Sequence, residues 1–241
     1  MIQIKDLFKT FRDQDVLRGV NLEIPRGKIT VILGTSGEGK TVLLKHLIGF
    51  YRPDRGQVVI EGTDISRLSE TELNDFRRRF GMLFQEGALF DSLTVGENIA
   101  FPLREHTSLS EAEISKKVRE LLGHVSLEGA EQKMPAELSG GMRKRVGLAR
   151  AIALKPQIIL YDEPTTGLDP LMTRSINKLI LDMEKKFGVT SVIISHDIES
   201  ALSMGHKIAM LHEGKIIEEG APQEFRVSRH PFVREFLSDH P

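Results

Sequence analysis

Ile29-Thr30-Val31-Ile32-Leu33-Gly34-Thr35-Ser36-Gly37-Glu38-Gly39-Lys40-Thr41 reads as a short buried strand that turns through glycines into a helix. A run of apolar and β-branched residues suits a strand covered on both faces. Gly34 to Thr41 fits the pattern G-x-x-x-x-G-K-[ST], whose glycines let several backbone N–H groups turn inward around a phosphate. The helix that starts near Lys40 adds the positive end of its dipole. Lys40 then reaches the β- and γ-phosphates and Thr41 places its hydroxyl on Mg2+. Gly34, Ser36, Gly37, Glu38, Gly39, Lys40 and Thr41 are the candidate nucleotide-binding residues. The alternative is a glycine-rich turn with a chance lysine; a strand before it and a helix after it argue against that.

Outward from this stretch, short apolar runs alternate with helical patterns, which predicts a parallel sheet wrapped by helices. Ile158-Ile159-Leu160-Tyr161 and Ser191-Val192-Ile193-Ile194 read as two more buried strands. Ile176, Leu179, Ile180, Met183 and Phe187 fall on one face of a helix between them. The first strand of that pair runs into Asp162 and Glu163. A carboxylate at a strand end can hold Mg2+, as Asp162 would, and the next one can polarise an attacking water, as Glu163 would. Taken alone, such an acidic pair is more often a turn or a helix cap.

Ile2/Ile4, Val20/Leu22/Ile24 and Val58/Ile60 alternate instead, predicting a separate antiparallel sheet with one wet face. From about Glu86 to Arg150 the pattern is mostly helical, with Ser110 and Glu113 forming a capping box. The tail from Phe225 to Pro241 carries Phe232, Val233, Phe236 and Leu237, a short amphipathic helix. The charged runs Arg77-Arg78-Arg79 and Arg143-Lys144-Arg145 are expected to face water, the second with a subunit contact as its alternative.

Among 241 residues, 33 Lys and Arg face 34 Asp and Glu, leaving a formal net charge of -1. That balance gives no overall pull toward nucleic acid, so a nucleic-acid partner is not expected. With no cysteine in the chain, disulfides, thiolate metal sites and a cysteine nucleophile are excluded. No stretch approaches the roughly 18 apolar residues of a spanning helix, and Lys5 and Asp6 fall where a signal peptide needs its apolar run. A membrane role is therefore expected to come through a partner.

Leu138-Ser139-Gly140-Gly141-Met142, continuing to Ala151, resembles the signature motif of ABC ATPases. A lone Ser-Gly-Gly is weak, but the order of phosphate loop, glutamine, signature, acidic strand and histidine is hard to reach by chance. Gln85 resembles the glutamine of that family, Thr166-Gly167-Leu168-Asp169 the loop that crosses the dimer axis, and His196 the switch histidine. Phe11 lies where the family has an aromatic that stacks on adenine. Alone, His196 is more often a capped or solvated histidine, Phe11 more often core, and Asp169 also suits a helix N-cap before Pro170.

The resemblance covers Met1 to about Gly220 and implies one ABC ATPase domain over residues 1–241. It implies a P-loop NTPase (RecA-like) α/β core with an antiparallel β subdomain, an inserted helical subdomain over about 86–150 and a tail over about 221–241. It further implies ATP hydrolysis, with Glu163, His196 and Gln85 catalytic and Thr41, Gln85 and Asp162 on Mg2+. Ser139, Gly140, Gly141 and Asp169 would complete the nucleotide site in a head-to-tail homodimer.

Met82 to Gln85, Gly87 to Phe90, Pro102 to Thr107, Met134 to Glu137 and Met142 resemble the Mla-type phospholipid transport ATPases of Gram-negative bacteria. That likeness implies integral membrane permease subunits, a periplasmic MCE-type lipid-binding protein and, for some relatives, a small cytoplasmic regulatory subunit on the helical lobe. It implies a place on the cytoplasmic face of the inner membrane, held through the permease. Another cargo, such as an amino acid, a metal complex or a lipoprotein, is the alternative. Phe90 and Leu93 would form a groove for a short permease helix or belong to the core of the helical lobe. A nucleotide kinase or GTPase is disfavoured because there is no N-K-x-D pattern. A two-cassette translation or DNA-maintenance protein would need a second cassette or a long coiled coil. The tail could clasp the opposite subunit.

Overall fold

The computed structural model describes residues 1–238. The chain divides into two compact units, one holding Met1–Arg77 and the chain from Gly188 onward, the other Arg78–Phe187. In the first unit, β1 (Ile2–Phe11) and β2 (Gln14–Ile24) precede β3 (Ile29–Leu33) and α1 (Lys40–Leu47). β4 (Arg55–Ile60), β5 (Thr63–Asp64) and α2 (Glu70–Arg77) follow. The second unit contains β6 (Phe80–Leu83), α3 (Val95–His106), α4 (Glu111–His124), α5 (Gly140–Ile152), β7 (Ile158–Asp162) and α6 (Pro170–Phe187). The first unit resumes with β8 (Thr190–Ser195), α7 (Ile198–Met204), β9 (Lys207–His212), β10 (Lys215–Gly220), α8 (Pro222–Arg226) and α9 (Pro231–Ser238).

β3 lies parallel to both β8 and β9, and β10 closes antiparallel on β9. Every residue of β3 and β8 is buried, so neither shows the alternation of a half-wet strand; Thr30, Thr190, Ser191 and Ser195 are buried beside the apolar residues. β1 pairs antiparallel with β2 and with β4, matching Ile2 to Ile24 and to Ile60, and Ile4 to Leu22 and to Val58. These residues are buried while the neighbours Asn21 and Glu23 are exposed, so this sheet has its wet face.

In the second unit β6 and β7 are parallel, from Phe80 opposite Ile158 to Leu83 opposite Tyr161. Ser110 and Glu113 form their capping box at α4, and Thr94 and Glu97 form another at α3. The apolar face of α6 buries Ile176, Leu179, Ile180 and Met183. Phe187, expected on that face, ends the helix partly exposed with its ring edge against His124. The tail helix is α9, which buries Val233 and Phe236; Asp239 to Pro241 lie outside the described residues.

One of the charged runs is not a solvated helix face. α2 ends at Arg77, whose guanidinium donates to the carbonyls of Ile48 at 3.1 Å and Gly49 at 3.0 Å. It thereby satisfies backbone acceptors at the end of α1, a use of arginine at a helix C-terminus that no local spacing announces.

Candidate functional site

In the first unit, β3 delivers the chain into the loop from Gly34 to Gly39 and then into α1. Gly34 has no room for a side chain, since a Cβ there would come within 2.5 Å of the Leu211 carbonyl oxygen. Gly37 and Gly39 have φ of +88° and +94°, backbone that only glycine enters without strain. Gly39 caps α1 without any side-chain hydrogen bond, and the first turn of the helix presents its N-terminal end to the loop. Lys40 is 7% exposed, and its Nζ donates to the carbonyls of Gly34 at 2.8 Å and Thr35 at 2.9 Å. The ammonium is thus folded into the loop's concavity, on the side where a phosphate would approach. Ser36 is exposed, and Thr41 opens the first turn of α1 half-buried.

Two further residues of this unit belong to the expected set. Phe11 ends β1 half-buried, its ring 5.1 Å from Tyr51 in an edge-on arrangement and 5.4 Å from Lys9 Nζ. His196 is exposed immediately after β8. Asp197 next to it takes the N–H of Ser200 as the N-cap of α7 and donates its own N–H to Ser195 Oγ.

In the second unit, β7 ends on half-buried Asp162, and Glu163 follows with φ of +48°. A left-handed backbone in a non-glycine residue costs of order 1–3 kcal/mol and persists where neighbours hold it. Thr166 Oγ1 donates to Glu163 Oε2 at 3.0 Å, and Lys144 Nζ donates to the carbonyls of Thr166 at 2.6 Å and Glu163 at 3.5 Å. Lys144 is 4% exposed, so the expectation that Arg143-Lys144-Arg145 faces water is wrong. Burial pushes its ammonium below the usual lysine range, with Glu86 and Glu163 acting in the opposite direction. Arg143 and Arg145 also bend onto protein, to the carbonyls of Leu138 and Val125 and to Ser175 Oγ. Lys144→Met should therefore keep the fold yet lower stability by about 1.5–3 kcal/mol, the value of a hydrogen bond to a charged group. Denaturant unfolding checks this, and an unchanged midpoint refutes it.

The signature segment lies at the start of α5. Ser139 is its exposed N-cap, accepting the Met142 N–H at 3.3 Å, and a side chain at Gly141 would meet Met172 Sδ at 3.0 Å. Asp169 caps α6, its Oδ1 accepting from the N–H groups of Leu171 and Met172. Gln85 is exposed in the turn after β6.

Past that turn, Asn98 and Arg150 hold the backbone, and neither stood out in the sequence. Buried Asn98 accepts the Phe90 N–H and donates to the carbonyls of Phe90, Leu93 and Thr94. Arg150 donates to the carbonyls of Gly87 and Ala88 and stacks over Phe90. What they hold open is a groove of about 340 Å3 whose apolar walls include Phe84, Phe90, Phe101 and Leu154. The three phenylalanines are 40–45% exposed, so Phe90 is not core, and Leu93 is half-buried.

A sequence profile described as ABC transporter matches residues 17–166. The "Probable ribonucleotide transport ATP-binding protein mkl" of Mycobacterium leprae is 46% identical over 98% of this chain, which spans 68% of that protein. The intermembrane phospholipid transport system ATP-binding protein MlaF of Haemophilus influenzae is 44% identical over 98% of this chain, which spans 90% of it. Among solved structures, a dimeric ATP-binding cassette in a post-hydrolysis state with ADP and Pi superposes with a TM-score of 0.85. It shares 33% identity over 92% of this chain and 99% of its own.

Proposed function

The chain belongs to the ABC transporter family as an ATP-hydrolysing, ATP-binding subunit, and on that premise we propose that it drives phospholipid movement between the inner and outer membranes of a cell envelope. It works as a homodimer on integral membrane permease subunits, at the cytoplasmic face of the inner membrane. Among the described residues no helix is long and apolar enough to cross a membrane. A periplasmic MCE-type lipid-binding protein and a small regulatory subunit complete the proposed assembly. The observation that carries the cargo is the 44% identity to MlaF across nearly the whole of both chains.

At the nucleotide, Lys40 and the glycine-rich backbone hold the β- and γ-phosphates, and Phe11 offers its ring to adenine. Thr41, Gln85 and Asp162 supply oxygen donors only, the set that suits Mg2+, which when bound offsets phosphate charge. Glu163 takes the proton of the attacking water, and His196 contacts the γ-phosphate side. The partner's Ser139, with the N–H groups beside Gly140 and Gly141, closes the remaining side, and Asp169 crosses the dimer axis. Dimeric relatives in the solved cassettes support the two-chain arrangement.

The exposed phenylalanine groove fits a short apolar helix of the permease. Phe90→Asp should release the permease during purification from membranes, with nucleotide binding and folding unchanged. Retention of the permease by a folded variant removes this docking role. The name of the mycobacterial relative favours a second cargo, a ribonucleotide. Reconstituting the wild-type complex in vesicles separates the two. ATP-dependent phospholipid movement is expected; ATP-dependent ribonucleotide uptake without lipid movement would replace the lipid reading.

A further inference from the structure

Glu38 occupies a variable position of the phosphate-binding pattern, yet its carboxylate meets three partners. Oε1 accepts from Thr35 Oγ1 at 3.2 Å, inside the loop, and lies 2.9 Å from His212 Nδ1. Oε2 accepts the Glu213 N–H at 2.5 Å. Glu38 thus ties the loop to the tight turn between β9 and β10, where Glu213 and Gly214 both have positive φ. That turn is itself fixed from below. The Arg18 N–H donates to the Gly214 carbonyl at 2.8 Å, and a Cβ on Gly214 would come within 2.6 Å of the Val16 oxygen.

The imidazole that meets Glu38 is oriented by the tail. The Phe232 ring lies flat on His212, centroids 3.6 Å apart and planes 16° from parallel. Phe232 belongs to α9, which is anchored by buried Val233 and Phe236, and the Phe236 ring continues the stack at 6.1 Å. An imidazole with one face covered has its plane set, so its Nδ1 stays aimed at the carboxylate. Side-chain exposures of 27% for His212 and 15% for Glu38 keep water from replacing this contact freely.

We infer that Phe232 and His212 are positioning residues for ATP binding: the tail helix holds the phosphate loop in its binding shape through His212 and Glu38. The inference rests on the loop of Lys40 holding the nucleotide, as proposed above, and adds that affinity for ATP is set in part from α9. A tail drawn away from its own subunit, by a partner or by the opposite copy, would then loosen the loop and weaken ATP binding.

The test measures KM and kcat for ATP in the assembled transporter carrying Phe232→Ala, Phe232→Tyr, His212→Ala or the Phe232→Ala/His212→Ala pair. Phe232→Ala should raise KM about 3- to 10-fold, which is about 0.7–1.4 kcal/mol at 1.4 kcal/mol per tenfold, with kcat within about twofold. Phe232→Tyr keeps the stack and should restore the wild-type KM. His212→Ala leaves α9 in place and should raise KM alike, and the double variant should be no worse than His212→Ala alone. A wild-type KM in Phe232→Ala, a Tyr variant as weak as Ala, or penalties that multiply would each overturn the inference, even where thermal stability falls. Should Phe232→Ala fail to fold, a normal KM in His212→Ala overturns it. Lys40→Ala, run in parallel, separates the two assignments. If it leaves ATP affinity intact, the phosphate-loop reading itself fails; if it abolishes binding while Phe232→Ala stays normal, only the tail's role falls.

Discussion

Replacing Glu163 with Gln lowers ATP turnover by about 10²–10⁴-fold, the usual contribution of a positioned general base, and leaves nucleotide binding in place. The amide has nearly the shape of the carboxylate and can still accept from Thr166 Oγ1, which donates to Glu163 Oε2 in the native chain. The backbone at φ of +48° and the Lys144 hydrogen bonds to the carbonyls of Glu163 and Thr166 do not depend on the side-chain charge. What the substitution removes is the capacity to take a proton from water. Bound ATP then has no exit by hydrolysis, and ATP-locked dimers accumulate on size exclusion. Turnover within tenfold of the native protein would assign the base elsewhere.

The second large effect is at Lys40. Lys40→Ala removes the one side-chain cation of the loop, and loss of such a preorganised donor costs about 10²–10³ in turnover. In the present structure the ammonium occupies the loop's own concavity, bonded to Gly34 and Thr35, so it is already within the cradle it serves. Lys40→Arg is expected to be nearly as damaging, since a planar guanidinium cannot repeat a compact ammonium in a pocket where Lys40 is 7% exposed. Equilibrium binding and ATPase rates in the purified complex check both. Unchanged hydrolysis in Lys40→Ala would remove the loop from the reaction.

The strand, glycine turn and helix from Ile29 to Leu47 were legible because their causes are local. Gly34, Gly37 and Gly39 mark backbone that must turn or approach closely, and strand and helix patterns flank them. β3 and β8 were legible because a strand buried on both faces carries a short cluster of β-branched apolar residues, Val31-Ile32 in one and Val192-Ile193-Ile194 in the other. The Ser110–Glu113 box stands out before an apolar helical face, while the Thr94–Glu97 box follows the same four-residue spacing without so clear a flank. Lys144 departs from its sequence pattern for a different reason. A run of three basic residues on a helix looks solvated until a loop about 20 residues further on presents carbonyls to one of them. Arg77, Asn98 and Arg150 likewise bond to backbone carbonyls outside their own turn, and backbone acceptors leave no trace in side-chain patterns. The Glu38–His212 contact spans 174 residues and joins a variable motif position to a strand end, so no spacing rule reaches it.

Mixing subunits tests the shared nucleotide site most directly. Lys40→Ala breaks the phosphate loop and Ser139→Arg fills the signature turn, so each variant alone should be inactive as a dimer. In mixed dimers one site pairs an intact Lys40 with the partner's intact Ser139, while the other carries both defects. ATP hydrolysis should therefore return on mixing, toward half the native rate per mixed dimer if the two sites turn over independently. Mixtures that associate yet stay inactive would contradict an ATP held jointly by two copies of this chain.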